Sequence, residues 1–425
     1  MSAALGSYTY EMDASYAADF GRDREQIKKR SRHPEYRRKG SAPARVGGMH
    51  CRRNKRWTWG SGRGARMATL RAFAGCLAVA IAALASNASA VTFNWGTSVT
   101  GTNAAYTSGT WATVAGGVGS VNYDYRVSKT ETTRGQYAEF LNAVATSTSA
   151  PSYVQTLWSS TSTFGITRTV VGGSYSYAAA APNLPVANVT WTSAARFVNW
   201  LNNGQVITSN TTTLNTILNS GAYTISSGTS GNTIVARNAG YTTSGTSDKF
   251  FLPSANEWVK AAFYNPNTAT YNTWQTNTSG TATPLAVTSS TSTNISSANA
   301  GVYGMAAGTT PLAVGSVTNT VSPYGLFDML GNVAEMTDTG NASNQWFGAS
   351  GSYLIAASGI SAWNINSRQF LATSADTIGF RVAGIAATPV PEPETIVLAA
   401  FGVMGLCGST WLRRRRRQAA SPATA

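Results

Sequence analysis

Residues Ser322–Asp338 read SPYGLFDMLGNVAEMTD, and this stretch decides how the rest of the chain is read. Apolar side chains stand at Leu326, Phe327, Met329, Leu330, Val333 and Met336. That density predicts a buried segment in a chain otherwise rich in Ser, Thr and Gly. Gly325 and Gly331 punctuate it, and Gly331-Asn332 predicts a turn. Asn332 and Glu335 follow three residues apart. A carboxylate so close to a buried turn needs a partner, which could be local backbone amides or a cation.

Working outward, Tyr125-Arg126-Val127 alternates as a strand does. Thr133 with Gln136 forms the pattern of a capping box. The following Tyr137, Phe140, Leu141 and Val144 place an apolar stripe on one helix face. After Asn183-Leu184-Pro185-Val186 and Val189-Thr190-Trp191, Thr192 or Ser193 is the expected cap of a second helix. Its buried face would be Ala194, Phe197, Val198 and Leu201, with a stop near Gly204. Ser254 with Glu257 repeats the capping box ahead of Trp258, Ala261 and Ala262. Residues 145–181, 205–249 and 265–321 are polar and aperiodic, and 205–249 is of low complexity. They predict solvated inserts that tolerate change. Tyr175, Tyr177 and Trp274 within them could stack on sugars if exposed.

Five blocks in this order resemble the sulfatase-modifying factor family, also called formylglycine-generating enzyme-like domains. The residues that carry the resemblance are Glu131, Tyr137 and Phe140, then Trp191 and Trp200, then Leu252-Pro253 with Glu257-Trp258. Gly331-Asn332-Val333 with Glu335 follows, and Gly351-Ser352-Tyr353, Arg368 and Gly379-Phe380-Arg381 close it. Departures fall at Ser193, Phe251 and Ala255, and at Ala334 and Met336, where the family usually carries tryptophans. The resemblance implies an α+β, C-type-lectin-like sulfatase-modifying-factor fold, with short helices, a small mixed sheet, much irregular chain and a strand after Tyr353. It also implies a calcium site at Asn332, the carbonyl of Val333 and Glu335, hard oxygens of the kind Ca²⁺ takes. Catalytic members bind copper through two cysteines shortly after the Gly-Ser-Tyr block. Aligned on Tyr353, those places fall near Ile355 and Ile360, which can form no thiolate.

Composition narrows the chemistry further. Cys51, Cys76 and Cys407, and His33 and His50, all lie outside residues 91–390. Ser-His-Asp, Cys-His and two-cysteine redox catalysis are therefore closed to the body of the chain, as are Cys/His zinc sites and histidine-ligated iron. No catalytic residue is assigned, and no cofactor beyond possible Ca²⁺. Asp124, Glu131, Asp328, Glu335 and Asp376 could in principle supply a glycosidase pair, although capping is the plainer role. The formal charge of +15 belongs to the ends: residues 1–66 hold 16 basic against 6 acidic side chains, whereas 91–390 hold 10 against 9. The balance gives no reason to expect nucleic acid as a partner.

The ends carry addresses. Met67-Ala-Thr-Leu-Arg71, an apolar run to Ala85 and Ala88-Ser89-Ala90 form a secretory signal peptide, which makes 1–66 a basic extension ahead of the working start. Pro391-Glu392-Pro393, an apolar run over 396–412 and Arg413, Arg414, Arg415, Arg416 and Arg417 resemble the PEP-CTERM sorting signal. Seventeen residues at ~1.5 Å each suffice for a short membrane helix, with the arginines on its cytoplasmic side. The resemblance implies an exosortase-type enzyme as partner. The chain thus divides into 1–66, a signal peptide (67–90), a polar segment (91–122), the domain (123–386), the sorting signal (387–417) and a tail (418–425). The expected protein is exported through the inner membrane to the cell envelope, surface or extracellular matrix. Its domain would act in binding or structure, with polysaccharide or protein as partner; the alternative is an oxidase of the same family using a route without cysteine.

Overall fold

The computed structural model describes residues 90–161, 164–278, 280–341, 345–366, 369–371 and 377–388. The basic extension, the expected signal peptide up to Ser89, Arg368, Asp376, and the sorting signal with the membrane helix expected over 396–412 lie outside the described residues, as do all the cysteines and histidines. No helix among the described residues is long and apolar enough to cross a membrane.

The architecture is α+β, with short helices around two small sheets and much irregular chain. Helix α1 (Arg134–Val144) begins with the expected capping box, Gln136 N donating to Thr133 Oγ1 and Thr133 N to Gln136 Oε1. Eleven residues make a marginal helix alone, so packing must hold it. Tyr137, Phe140, Leu141 and Val144 are all fully buried. Helix α2 (Trp191–Asn202) crosses it, and Phe197 stacks on Tyr137 with ring centroids 5.8 Å apart. The cap of α2 is Thr190, not Thr192 or Ser193: its hydroxyl accepts from Ser193 N, two or three residues earlier than expected. Thr192 instead bonds sideways to Gly231 O. Helix α4 (Ala255–Phe263) also has its predicted capping box, Ser254 with Glu257.

The stretch 205–249 departs from the expectation of a solvated insert. It contains helix α3 (Thr211–Asn219), capped by Asn210, with Leu214, Ile217 and Leu218 buried against α2. The apolar residues recur at i, i+3 and i+4 and drive that packing, although polar neighbours dilute the signal.

Strand β1 (Arg126–Val127) pairs with β9 (Ala383–Ile385), which pairs on its other side with β4 (Lys249–Phe251), all antiparallel. The second sheet takes the order β7 (Gln369–Leu371), β6 (Trp346–Ala349), β5 (Ala334–Gly340), β8 (Ile378–Gly379). Only β5 and β8 run parallel, so the sheet is mixed as expected. Between β8 and β9 lie three buried residues, Phe380, Arg381 and Val382. This link joins the sheets and carries Phe380 into the aromatic core, 5.5 Å from Phe197. A hairpin of β2 (Ile166–Val171) and β3 (Ser174–Ala179) lies against α1. The chain directly after Tyr353 forms not a strand but a 3₁₀ turn, Ala357–Trp363, ahead of β7.

Candidate functional site: a buried carboxylate cluster and a surface groove

The signature turn forms as read, with Gly331 at φ 88° and Asn332 at φ 59°. Glycine is required at 331, because an added Cβ would lie 2.1 Å from Val302 O. Asn332 then ties four segments together. Its N–H donates to Val302 O and its carbonyl accepts from Tyr353 N. Its Oδ1 accepts from Leu312 N at 3.0 Å, and its Nδ2 donates to Glu131 Oε1 at 3.0 Å.

Three residues on, Glu335 on β5 meets Arg381 on the link between the sheets. Arg381 Nε donates to Oε2 at 2.6 Å and Nη2 to Oε1 at 2.5 Å, a two-pronged pair with both side chains at 0 % exposure. Trp258 Nε1 on α4 gives a third bond to Oε2 at 2.7 Å. The remaining guanidinium N–H groups donate to Ser128 O and Phe327 O. The partner that Glu335 required is therefore an arginine 46 residues away.

The residues expected at a calcium site do not fit the ion as they are arranged. Both Glu335 oxygens face the Arg381 guanidinium, whose charge opposes a cation. Asn332 Oδ1 is taken by Leu312 N. Val333 is fully buried beside them. Among the described residues no group of three or more His, Cys, Asp or Glu is placed to hold a metal.

Two more acids crowd the cluster. Glu131 and Asp328 are 1 % and 6 % exposed, and the charge of Asp328 acts on Glu131. Asp328 Oδ2 accepts from Gly315 N at 2.5 Å. Glu131 Oε2 and Asp328 Oδ1 are buried without a hydrogen-bond partner. Two buried carboxyls that feel each other's charge favour keeping a proton. Burial pushes Asp328 up to about 6, and burial followed by the charge of Asp328 pushes Glu131 well above the usual range. Both shifts are upward, so the folded state binds about one proton more than the unfolded chain above pH ~4. Their contribution to stability is complete at low pH and falls as pH rises through 6 and beyond. Asp328→Asn, which cannot titrate, is expected to flatten that fall. Urea titrations of both proteins from pH 4 to 8 check it, and parallel slopes would refute the retained proton. A glycosidase pair is a poor description of Glu131, Asp328 and Glu335, since all three are buried away from any substrate.

A second charged network was invisible in the sequence. Arg237, within the stretch 205–249, donates to both oxygens of Glu257 (2.8 and 2.7 Å), to Asp338 Oδ2 (2.7 Å) and to Leu252 O. Tyr123 donates to Glu257 and Tyr223 to Asp338. The guanidinium lies 3.9 Å over the ring of Phe251. The two Glu257 oxygens thus serve the helix cap and an ion pair together.

At the places aligned with the family's reactive cysteines, Ile355 is half-buried, and Ile360 is 3 % exposed in a cluster with Trp274, Tyr303 and Leu330. Nearby voids hold about 20 and 10 Å³, the scale of one water molecule. Trp274 is therefore core. Tyr177 is core as well, and its hydroxyl donates to Ala145 O. Tyr175 is half-buried, with the Arg168 guanidinium 4.3 Å from its ring. None of the three offers a free sugar platform. A larger opening, about 570 Å³, lies at the surface beside β1. Tyr123, Asp124 and Arg126 line it, together with Ser98, Thr243 and Thr388. Asp124 Oδ1 accepts from Gly101 N at 3.2 Å and Arg126 pairs with Asp248.

Several solved structures are similar to this chain. Treponema denticola variable protein 1 shares 19 % identity at a TM-score of 0.40, over 70 % of this chain and 97 % of that one. A structure of CarF shares 17 % at 0.38, over 69 % and 98 %. PvdO from Pseudomonas aeruginosa shares 15 % at 0.32, over 68 % and 91 %. No curated protein matches the chain in sequence. Residues 389–417 match the PEP-CTERM protein-sorting motif, a signal that exosortase recognises and that marks proteins exported to the cell envelope or surface. Residues 83–385 match the Sulfatase-modifying factor enzyme 1-like domain, so the chain belongs to the sulfatase-modifying factor family and carries an export-sorting signal behind that domain.

Proposed function

We propose that the domain works outside the inner membrane as a binding or structural module, held by its sorting signal until the helix 396–412 is removed, and that it does not generate formylglycine. The observation that carries this reading is the hydrocarbon at the family's reactive places. Ile360 is packed among Trp274, Tyr303 and Leu330, and an aliphatic side chain neither binds copper nor attacks a substrate. The groove beside β1 is the ligand site. Its volume is within the range of small-ligand pockets. Its lining offers short hydroxyls, the Asp124 carboxylate, the Arg126 guanidinium already paired with Asp248, and the flank of Tyr123. Such a lining suits a ligand dense in hydroxyls and without strong charge, which at a cell surface is a neutral polysaccharide.

The test is affinity electrophoresis of the exported protein through gels containing neutral polysaccharides. Retardation is expected, and Thr243→Trp, which fills the groove, is expected to abolish it while leaving the melting temperature unchanged. Retardation that survives Thr243→Trp moves the site elsewhere. A Cys-containing sulfatase peptide incubated with the protein, copper and oxygen should remain unconverted. Turnover there would replace the reading with that of an oxidase using a route without cysteine.

A further inference from the structure

Val91 is held in a way its neighbours are not. Its side chain is 4 % exposed in the main core, whereas Ala90 is exposed. It belongs to no strand, yet both its main-chain groups are satisfied by a single side chain. Val91 N donates to Gln205 Oε1 at 2.7 Å, and Gln205 Nε2 donates back to Val91 O at 3.0 Å. Gln205 reaches this position from an unfavourable backbone. It follows Gly204 (φ 77°) at the end of α2 and itself adopts φ 55°, a region that costs a residue with a Cβ on the order of 1 kcal/mol. Gln205 N donates to Trp200 O, so the corner is fixed. A glycine would take this conformation without strain; the glutamine supplies the amide that clamps Val91. From Val91 onward the chain is tied in step, with Thr92 O accepting from Gln136 Nε2 and Asn94 O from Lys129 N.

The residues immediately before this clamp are Ala88-Ser89-Ala90, behind an apolar run. Small residues at these places are what a signal peptidase accepts. We infer that the Ala90–Val91 bond is hydrolysed during export and that the Gln205 amide is a built receptor for the new amino terminus. Water is the co-reactant. The peptide C–N bond breaks, Ala90 leaves on the leader as a carboxylate, and Val91 keeps its nitrogen as an α-ammonium. That ammonium donates to Gln205 Oε1 as a charge-assisted hydrogen bond, stronger than the neutral N–H hydrogen bond it replaces. Ala90 and Thr92, on either side of Val91, line a groove of about 530 Å³ whose single charged residue is Glu139, an acid. The order of events follows from burial. Once Val91 is in the core its nitrogen is out of reach of a peptidase, so the cut precedes closure of the domain. This inference rests on the signal peptide and is independent of the groove beside β1.

The experiment starts from the full chain expressed in a bacterium with its export machinery. N-terminal sequencing and intact mass of the exported protein should give Val91 as the first residue; any other first residue overturns the inference. Gln205→Gly removes the amide and suits φ 55°, so it is expected to fold. An amine-acylating reagent should then modify the α-amine at least about tenfold faster than in the parent, the factor that corresponds to one charge-assisted hydrogen bond. Equal rates would show that Gln205 receives nothing. If Gln205→Gly fails to fold, Gln205→Asn, one methylene too short to clamp both groups, takes its place with the same expected acceleration.

Discussion

Arg381→Ala is expected to cost about 3–5 kcal/mol, the usual loss when one partner of a buried ion pair is removed, and so to take most of the stability of a domain of ordinary size. The expectation follows from what the guanidinium faces. Glu335 is fully buried and spends both oxygens on Arg381, with Trp258 as its third donor. Glu131 and Asp328 stand in the same cluster, and the charge of Arg381 restrains the upward shift of both. Without it three carboxyl groups share a dry site with no cation among the described contacts. Arg381→Lys should recover only part of the loss, because one ammonium cannot grip two carboxylate oxygens and also reach the carbonyls of Ser128 and Phe327. The double variant Arg381→Met with Glu335→Gln is expected to be more stable than Arg381→Ala, since exchanging a whole buried pair is far cheaper than orphaning half of it. Urea midpoints of the three proteins decide the matter. A double variant no more stable than Arg381→Ala would mean that the link between the sheets needs the arginine for its carbonyl contacts alone.

This cluster shows how far the sequence could be read. The turn at Gly331-Asn332 was legible because glycine and asparagine tolerate positive φ. The need of Glu335 for a partner was legible from burial alone. The partner was not. Arg381 stands 46 residues later in a block whose spacing matched the family, and no local pattern says which charge it meets. Asn332 was open to two readings, because an amide oxygen suits a calcium ion as well as a backbone N–H. Helices α1 and α4 were legible to their first residue, since a capping box is written in four consecutive positions. At α2 the expected cap was Thr192 or Ser193, and Thr190, just before Trp191, was passed over. The turn geometry around Trp191 chose Thr190. The strand expected after Tyr353 rested on resemblance, and the chain there instead winds into 3₁₀ turns around Ile360.

The hardest stretch to read was 205–249, and Arg237→Ala tests what it contributes. Were the stretch a solvated insert, the substitution would lie within ±0.5 kcal/mol of neutral. The structure predicts a loss of about 3–4 kcal/mol at pH 7.5, because Arg237 is the cation for both Glu257 and Asp338 and its own side chain is 9 % exposed. The loss should shrink on acidification, and the sign can be worked out group by group. Burial pushes both carboxyls up while Arg237 pulls both down, leaving Glu257 below its ordinary value and Asp338 above. In the parent, the part that depends on Glu257 is therefore present above pH ~4.3 and fades below it. In the variant, both carboxyls are raised by burial with nothing to offset it, so the variant gains stability as they take up protons. The two curves converge toward pH 4.5. Arg237→Met, which keeps contact with the Phe251 ring, should recover little at pH 7.5 if charge is the cause, and most of the loss if packing is. Thermal melts of the parent and both variants at pH 4.5 and 7.5 separate these outcomes. A gap that stays constant across that range would show that Arg237 acts through its contact with Leu252 O and the ring, with the two carboxylates finding water instead.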